Sequence, residues 1–259
     1  MRILQHVRFL LAAAGLSFLA MSASASPANP QAGKDYRVMS TPQSTDSGKK
    51  VEVTEFFSYM CPHCAVFDAP LTEWVKKQGD RIVFKRVPIS FRDSWVAQQK
   101  AYYTIEAMGK TEELHSKIFN GIHQQHQLFE TDAAVADFMV KQGIDKTKFS
   151  ELYTSFGVQS RVRRAAQLQD SYQVDSVPTV AIDGRFVTSA AMVGVEAKAL
   201  NEAGLQAATM EVMDFLVAKA YKEKNGATAD VKPAVEPAPS KAAAKAKATP
   251  KAASKEIAK

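Results

Sequence analysis

Between Val51 and Gly79 the apolar pattern changes period without a break in the chain. VEVTEFF alternates and closes on an aromatic pair, the pattern of a central strand of about seven residues. CPHCAVFDAPLTEWVKKQG follows directly, with Val66, Phe67, Leu71, Trp74 and Val75 three or four apart and Gly79 where a helix should stop. A strand that runs straight into a helix commits the chain to a layered fold in which that helix packs on a sheet. Cys61 and Cys64, the only two cysteines among 259 residues, stand at the junction.

The rest of the chain extends this plan. RIVFKRVPI reads as a second strand. Five helical segments follow, at Trp95 to Met108, Thr111 to Phe119, Thr131 to Lys141, Lys146 to Phe156 and Val158 to Tyr172, with Gly109, Gly121, Gly143 and Gly157 as breaks. Acidic residues after Thr111 and Thr131 favour helix starts there. VPTVAIDGRFVTSA then reads as strand, Asp183-Gly184 turn, strand, and Val195 to Tyr221 as a closing amphipathic helix. A short YRVM in the leader adds an edge strand. The expected class is α/β, a small mixed sheet with helices on both faces and an all-helical insertion. The sheet domain is expected at 49–90 and 174–222, the insertion at 91–173 and a leader at 26–48.

Both ends differ from this middle. Arg2 and Arg8 precede an apolar run from Phe9 to Met21, and Ala23-Ser24-Ala25 offers a cleavage site, so residues 1–25 read as a secretory signal. The competing reading is an uncleaved anchor, although the run is shorter than the roughly 20 residues a bilayer crossing needs. Residues 225–259 are Ala, Lys and Pro rich and are expected to form a disordered basic tail. That tail carries seven Lys against three acids, the signal carries two Arg, and the whole chain is +6, so residues 26–224 sum to about zero. The positive charge belongs to the appendages, and no basic patch with interleaved aromatics marks a nucleic-acid site in the middle. The tail is read as a soluble extension, with weak contact to an anionic envelope surface as the alternative.

In an oxidising compartment two cysteines could form a structural bridge, but one spanning two residues closes almost no loop. A CxxC pair could also be half of a zinc site, which needs four ligands, and His115, His123 and His126 form no tidy partner pair. Redox chemistry fits the position better. Cys61 is expected in the first helical turn, where unpaired N–H groups and the helix dipole stabilise a thiolate. Pro62 suits a position whose N–H goes unused, and His63 adds a donor and a charge. Cys64, one turn along, is expected to be covered and to resolve a mixed disulfide formed at Cys61. If the Cys61 pKa fell to about 4, the reduced protein would gain on the order of 4 kcal/mol at pH 7, or some 90 mV of oxidising power. Ser176-Val177-Pro178-Thr179, by itself, reads as a strand led by a proline.

EFFSYMCPHC together with Val177-Pro178 resembles the thioredoxin superfamily, and within it the DsbA family of periplasmic thiol:disulfide oxidoreductases, over about Tyr36 to Tyr221. The resemblance implies a thioredoxin-like fold with an inserted helical domain that caps the thiols, and a periplasmic location. It implies a cis Val177-Pro178 bond that faces the thiols, binds an extended substrate strand and excludes adventitious metal. Glu55 looks like a buried acid that moves a proton during exchange, and Asp68 and Lys85 like a charge pair near it. The implied activity is donation of the Cys61-Cys64 disulfide to reduced, unfolded secreted proteins, without a cofactor; a monomer is expected because residues 26–50 are too short for an N-terminal dimerisation domain. A DsbB-type membrane protein linked to quinone is the implied reoxidant. Two alternatives stay open: a reductase or isomerase working from the dithiol, and a holdase whose apolar surface includes Phe56, Phe57, Tyr59 and Met60.

Overall fold

A computed structural model describes residues 29–226 except Glu196 and Lys198. The expected signal and nearly all of the expected basic tail lie outside the described residues. Five strands form one sheet: β1 (Arg37–Val38), β2 (Val51–Phe57), β3 (Ile82–Pro88), β4 (Thr179–Ile182) and β5 (Phe186–Thr188). Their order is β1-β5-β4-β2-β3, with β2 and β3 parallel and the remaining pairs antiparallel. All seven residues of β2 are buried, as befits a strand covered on both faces.

The helices are α1 (Pro62–Gln78), α2 (Val96–Ala107), α3 (Thr111–His123), α4 (Asp132–Lys141), α5 (Lys146–Tyr153), α6 (Phe156–Ser171), α7 (Ala190–Gly194) and α8 (Glu202–Gly226). None of these is long and apolar enough to cross a membrane. Phe67, Leu71 and Trp74 of α1 and Val212, Met213 and Leu216 of α8 bury one face of the sheet with Val51, Val53 and Ile182. The helices between β3 and β4 form a second core that reaches the other face, where Phe56 meets Tyr172 at 5.1 Å between ring centres.

Local chemistry explains the boundaries. Thr131, Asp145 and Ser155 each accept a backbone N–H in the first turn of α4, α5 and α6. Ser155 therefore starts a helix that contains Gly157, and the break expected at Gly157 falls two residues earlier. The closing helix begins at Glu202 rather than Val195, because Ser189 caps a separate short α7 first. The β4–β5 turn has both Asp183 and Gly184 at positive φ, 54° and 67°, the conformation of a two-residue hairpin. Gly184 has a second reason to be glycine: a Cβ there would lie 2.0 Å from the Gln43 carbonyl oxygen.

Candidate active site

Cys61 is the N-cap of α1 rather than a member of its first turn, with extended backbone at φ −86° and ψ 115°. Pro62 follows at the first helical position, where no N–H is required. The Cys61 Sγ accepts the Cys64 backbone N–H at 3.4 Å, so the sulfur is itself the helix cap. It also donates to the Val177 carbonyl at 3.3 Å, a bond that the thiolate must give up. The Val177–Pro178 peptide is cis.

Both cysteines are free thiols, and their environments differ. Hydrogen bonding from the Cys64 thiol, against opposition from burial and with help from the Cys64 and His63 N–H groups and the His63 charge, lowers the Cys61 pKa to about 6. Burial, followed by hydrogen bonding and charge from Cys61, pushes Cys64 well above the ordinary thiol value. Cys64 has no exposed surface. A depressed acid stabilises the reduced form fully above its ordinary pKa of about 9 and loses that effect as pH falls through about 6. At pH 7, after allowance for solvent at this partly exposed sulfur, the contribution is on the order of 1 kcal/mol. This is smaller than the sequence-based 4 kcal/mol.

Behind the thiols a buried polar network links β2, β3, α1 and α3. Glu55 and Asp68 do not meet Lys85; Arg86 joins them, donating from Nε to Glu55 at 3.0 Å and from Nη2 to Asp68 at 3.2 Å. Lys85 instead donates to Glu52 at 2.7 Å with 43% of its side chain exposed. The reason is strand periodicity. Parallel pairing sets Arg86 beside Glu55 and Lys85 beside Thr54, so neighbouring residues address opposite faces. Asp68 also accepts from Ser116 Oγ at 2.6 Å and lies 3.3 Å from His115 Nε2. Burial resists its ionisation, but His115, Ser116 and Arg86 outweigh this and hold its pKa below the usual value.

Burial pushes the His115 pKa down, which keeps the ring neutral and makes its approach to Asp68 a hydrogen bond rather than an ion pair. Its Nδ1 can then accept from Tyr59 Oη, 2.7 Å away. Burial raises Glu55 to about 7, against the lowering influence of Arg86. The charge of Glu55 acts on Cys64 and that of Cys61 acts on Glu55, and a carboxyl poised near neutrality can exchange a proton as the thiols change state. A raised carboxyl pKa costs stability fully above pH 7 and nothing below about pH 4.5. Glu55→Gln is therefore expected to stabilise the protein by on the order of 2–3 kcal/mol at pH 8 and hardly at all at pH 4. Urea titrations at the two pH values would show the difference, and equal effects would contradict the assigned shift.

The site thus brings together Cys61, Pro62, His63, Cys64, Val177 and Pro178, with Glu55 and Asp68 behind them and Lys85 elsewhere. Sequence reasoning missed Arg86, His115, Tyr59, Ser116 and Glu202. For Arg86 the signal was present, since Ile82, Phe84 and Arg86 share strand parity and Ile82 is buried against α1. Phe56, Phe57 and Tyr59 are buried core, not the exposed apolar surface expected of a holdase. Among the described residues no His, Cys, Asp and Glu cluster could hold a metal ion.

Residues 52–201 match the DSBA-like thioredoxin domain. The chain belongs to the DsbA family. Thiol:disulfide interchange protein DsbA of Burkholderia cepacia is 43% identical over 210 residues, 81% of this chain and 94% of that one. DsbA of Bordetella pertussis is 33% identical over 82% of this chain and 96% of its own length. The crystal structure of Pseudomonas aeruginosa DsbA is similar at a TM-score of 0.66, with 32% identity over 73% of this chain and 94% of that structure. That structure and this DsbA family member share the thioredoxin-like fold, which in this chain is an α/β sheet with helices inserted between β3 and β4.

Proposed function

We propose that this DsbA family member is a periplasmic thiol:disulfide oxidoreductase that gives its Cys61–Cys64 disulfide to reduced, folding secreted proteins. One observation carries the reading: two thiols one helical turn apart have opposite pKa shifts, with the lowered one at the partly exposed helix cap. A substrate thiolate attacks Cys61 Sγ, the Cys61–Cys64 bond breaks, and Cys64 leaves as a thiolate that takes up a proton. Glu55, whose carboxyl is raised to about 7 and whose charge acts on Cys64, serves that proton. A second substrate thiolate then attacks the substrate sulfur of the mixed disulfide, and Cys61 leaves as the stabilised thiolate. Two electrons have passed from substrate to protein, and the substrate holds the new disulfide.

The cis Val177–Pro178 segment offers its backbone to an extended substrate strand beside Cys61. A DsbB-type, quinone-linked membrane protein restores the disulfide, and the chain acts as a monomer. The Cys61 pKa of about 6 supports the less oxidising reading, a reductase or isomerase, more than a pKa of about 4 would. Equilibration with glutathione buffers separates these directions. A potential well above about −180 mV supports the oxidase; one near about −250 mV, close to the reference value for thioredoxin, assigns reduction instead.

A further inference from the structure

The contact between His63 and Glu202 has no part in the exchange steps above. Glu202 is the first residue of α8, 139 positions along the chain from His63, yet its Oε1 lies 2.7 Å from His63 Nδ1. Both line a cavity of about 250 Å³ that also includes Val177 and Pro178, and among the described residues they are its only titratable lining groups. We propose that Glu202 is a positioning residue for disulfide exchange, holding His63 as an imidazolium at the edge of the site so that its charge supports the Cys61 thiolate.

The geometry gives Glu202 this role because His63 has little else to hold it. Its side chain is 68% exposed, and that of Glu202 is 46% exposed. An unpartnered imidazole there would point freely into water and spend much of its time neutral at pH 7. The hydrogen bond to Glu202 is the leading influence favouring the imidazolium; burial opposes it, and the charges of Glu202 and Cys61 add to it. Cys61, from the same helix end, and Glu202, from α8, are the titratable groups that act on His63 among the described residues. The charge of His63 in turn lowers Cys61.

The sign of the effect discriminates between explanations. A carboxylate acting directly on a nearby thiolate disfavours it, so its removal would make the protein more oxidising. A carboxylate acting through His63 favours the thiolate, so its removal makes the protein less oxidising. Exposure of the pair keeps the effect modest and sensitive to salt.

The inference rests on the exchange activity proposed above, and the test separates the two. Glu202→Gln keeps an acceptor and removes the charge. NMR titration of His63 should show a lower midpoint, thiol alkylation should show a higher Cys61 midpoint, and the glutathione equilibrium should shift about fivefold toward the disulfide form. A fivefold shift corresponds to about 20 mV for a two-electron couple. Glu202→Asp should recover part of each change. In a His63→Ala background, Glu202→Gln should leave the potential where His63→Ala alone puts it. An unchanged His63 midpoint, a more oxidising Glu202→Gln protein, or an equal shift without His63 would each overturn the role. The absolute potential of the unaltered protein judges the oxidase reading, whereas the differences between variants judge Glu202.

Discussion

A Cys61→Ser variant is expected to lose oxidation of a reduced substrate protein down to the uncatalysed background, while its fold remains intact. The hydroxyl can still accept the Cys64 N–H, so the cap of α1 survives. It cannot form a disulfide or a stabilised leaving group. Cys64 cannot replace it, since that sulfur has no exposed surface and its pKa is raised. Turnover retained by Cys61→Ser would remove Cys61 from the mechanism. A Cys64→Ala variant should behave differently: it has no disulfide to donate, but its Cys61 thiolate should attack oxidised glutathione, release one glutathione thiolate and keep a mixed disulfide that no Cys64 thiol displaces. The Cys64 thiol is also the leading cause of the low Cys61 pKa, so the alkylation midpoint should move upward from about 6 in this variant. An unchanged midpoint would shift the explanation to the backbone N–H groups and His63.

The other large effect is on stability. Arg86→Met is expected to cost about 3–5 kcal/mol at pH 7, because it leaves Glu55 and Asp68 buried without their shared cation. Thr72 Oγ1 also loses its donor. The deficit should shrink toward pH 4: without Arg86, Glu55 must take up a proton at pH 7 and Asp68 stays buried with less compensation, whereas near pH 4 protonating the carboxyls costs little. Adding Glu55→Gln to Arg86→Met should restore part of the stability, whereas Lys85→Met should cost under about 1 kcal/mol. Denaturant unfolding of these variants at pH 7 and pH 4 would decide the matter. Equal losses for Lys85→Met and Arg86→Met would mean that the network does not work as its hydrogen bonds indicate.

The contrast between Lys85 and Arg86 shows where the sequence was informative. Alternation in VEVTEFF and helical spacing after Cys61 located β2 and α1, because both are properties of a few consecutive residues. The Asp183-Gly184 hairpin was legible for the same reason. Choosing between Lys85 and Arg86 required the register of β3 against β2, and an error of one residue moves a side chain to the opposite face. Ser155 outranked Gly157 as a helix boundary because its hydroxyl accepts the Val158 N–H, whereas glycine inside a helix is only mildly unfavourable. His115 and Glu202 were less accessible still. They reach Asp68 and His63 across separations of 47 and 139 residues in the chain, and nothing in their local sequence announces those partners.

The place of β3 at one end of the sheet order has a consequence for life among unfolded chains. A strand at a sheet edge can template backbone pairing, and the proposed substrates are extended polypeptides able to pair with it. β3 carries features that discourage such growth: a half-exposed Lys85, an inward charge at Arg86, and Pro88, which lacks a backbone donor. Lys85, outside the redox machinery, thus helps keep extended chains from pairing with this edge. For the proposed exchange reaction, selectivity then includes a sheet edge that resists the extended chains on which the reaction acts.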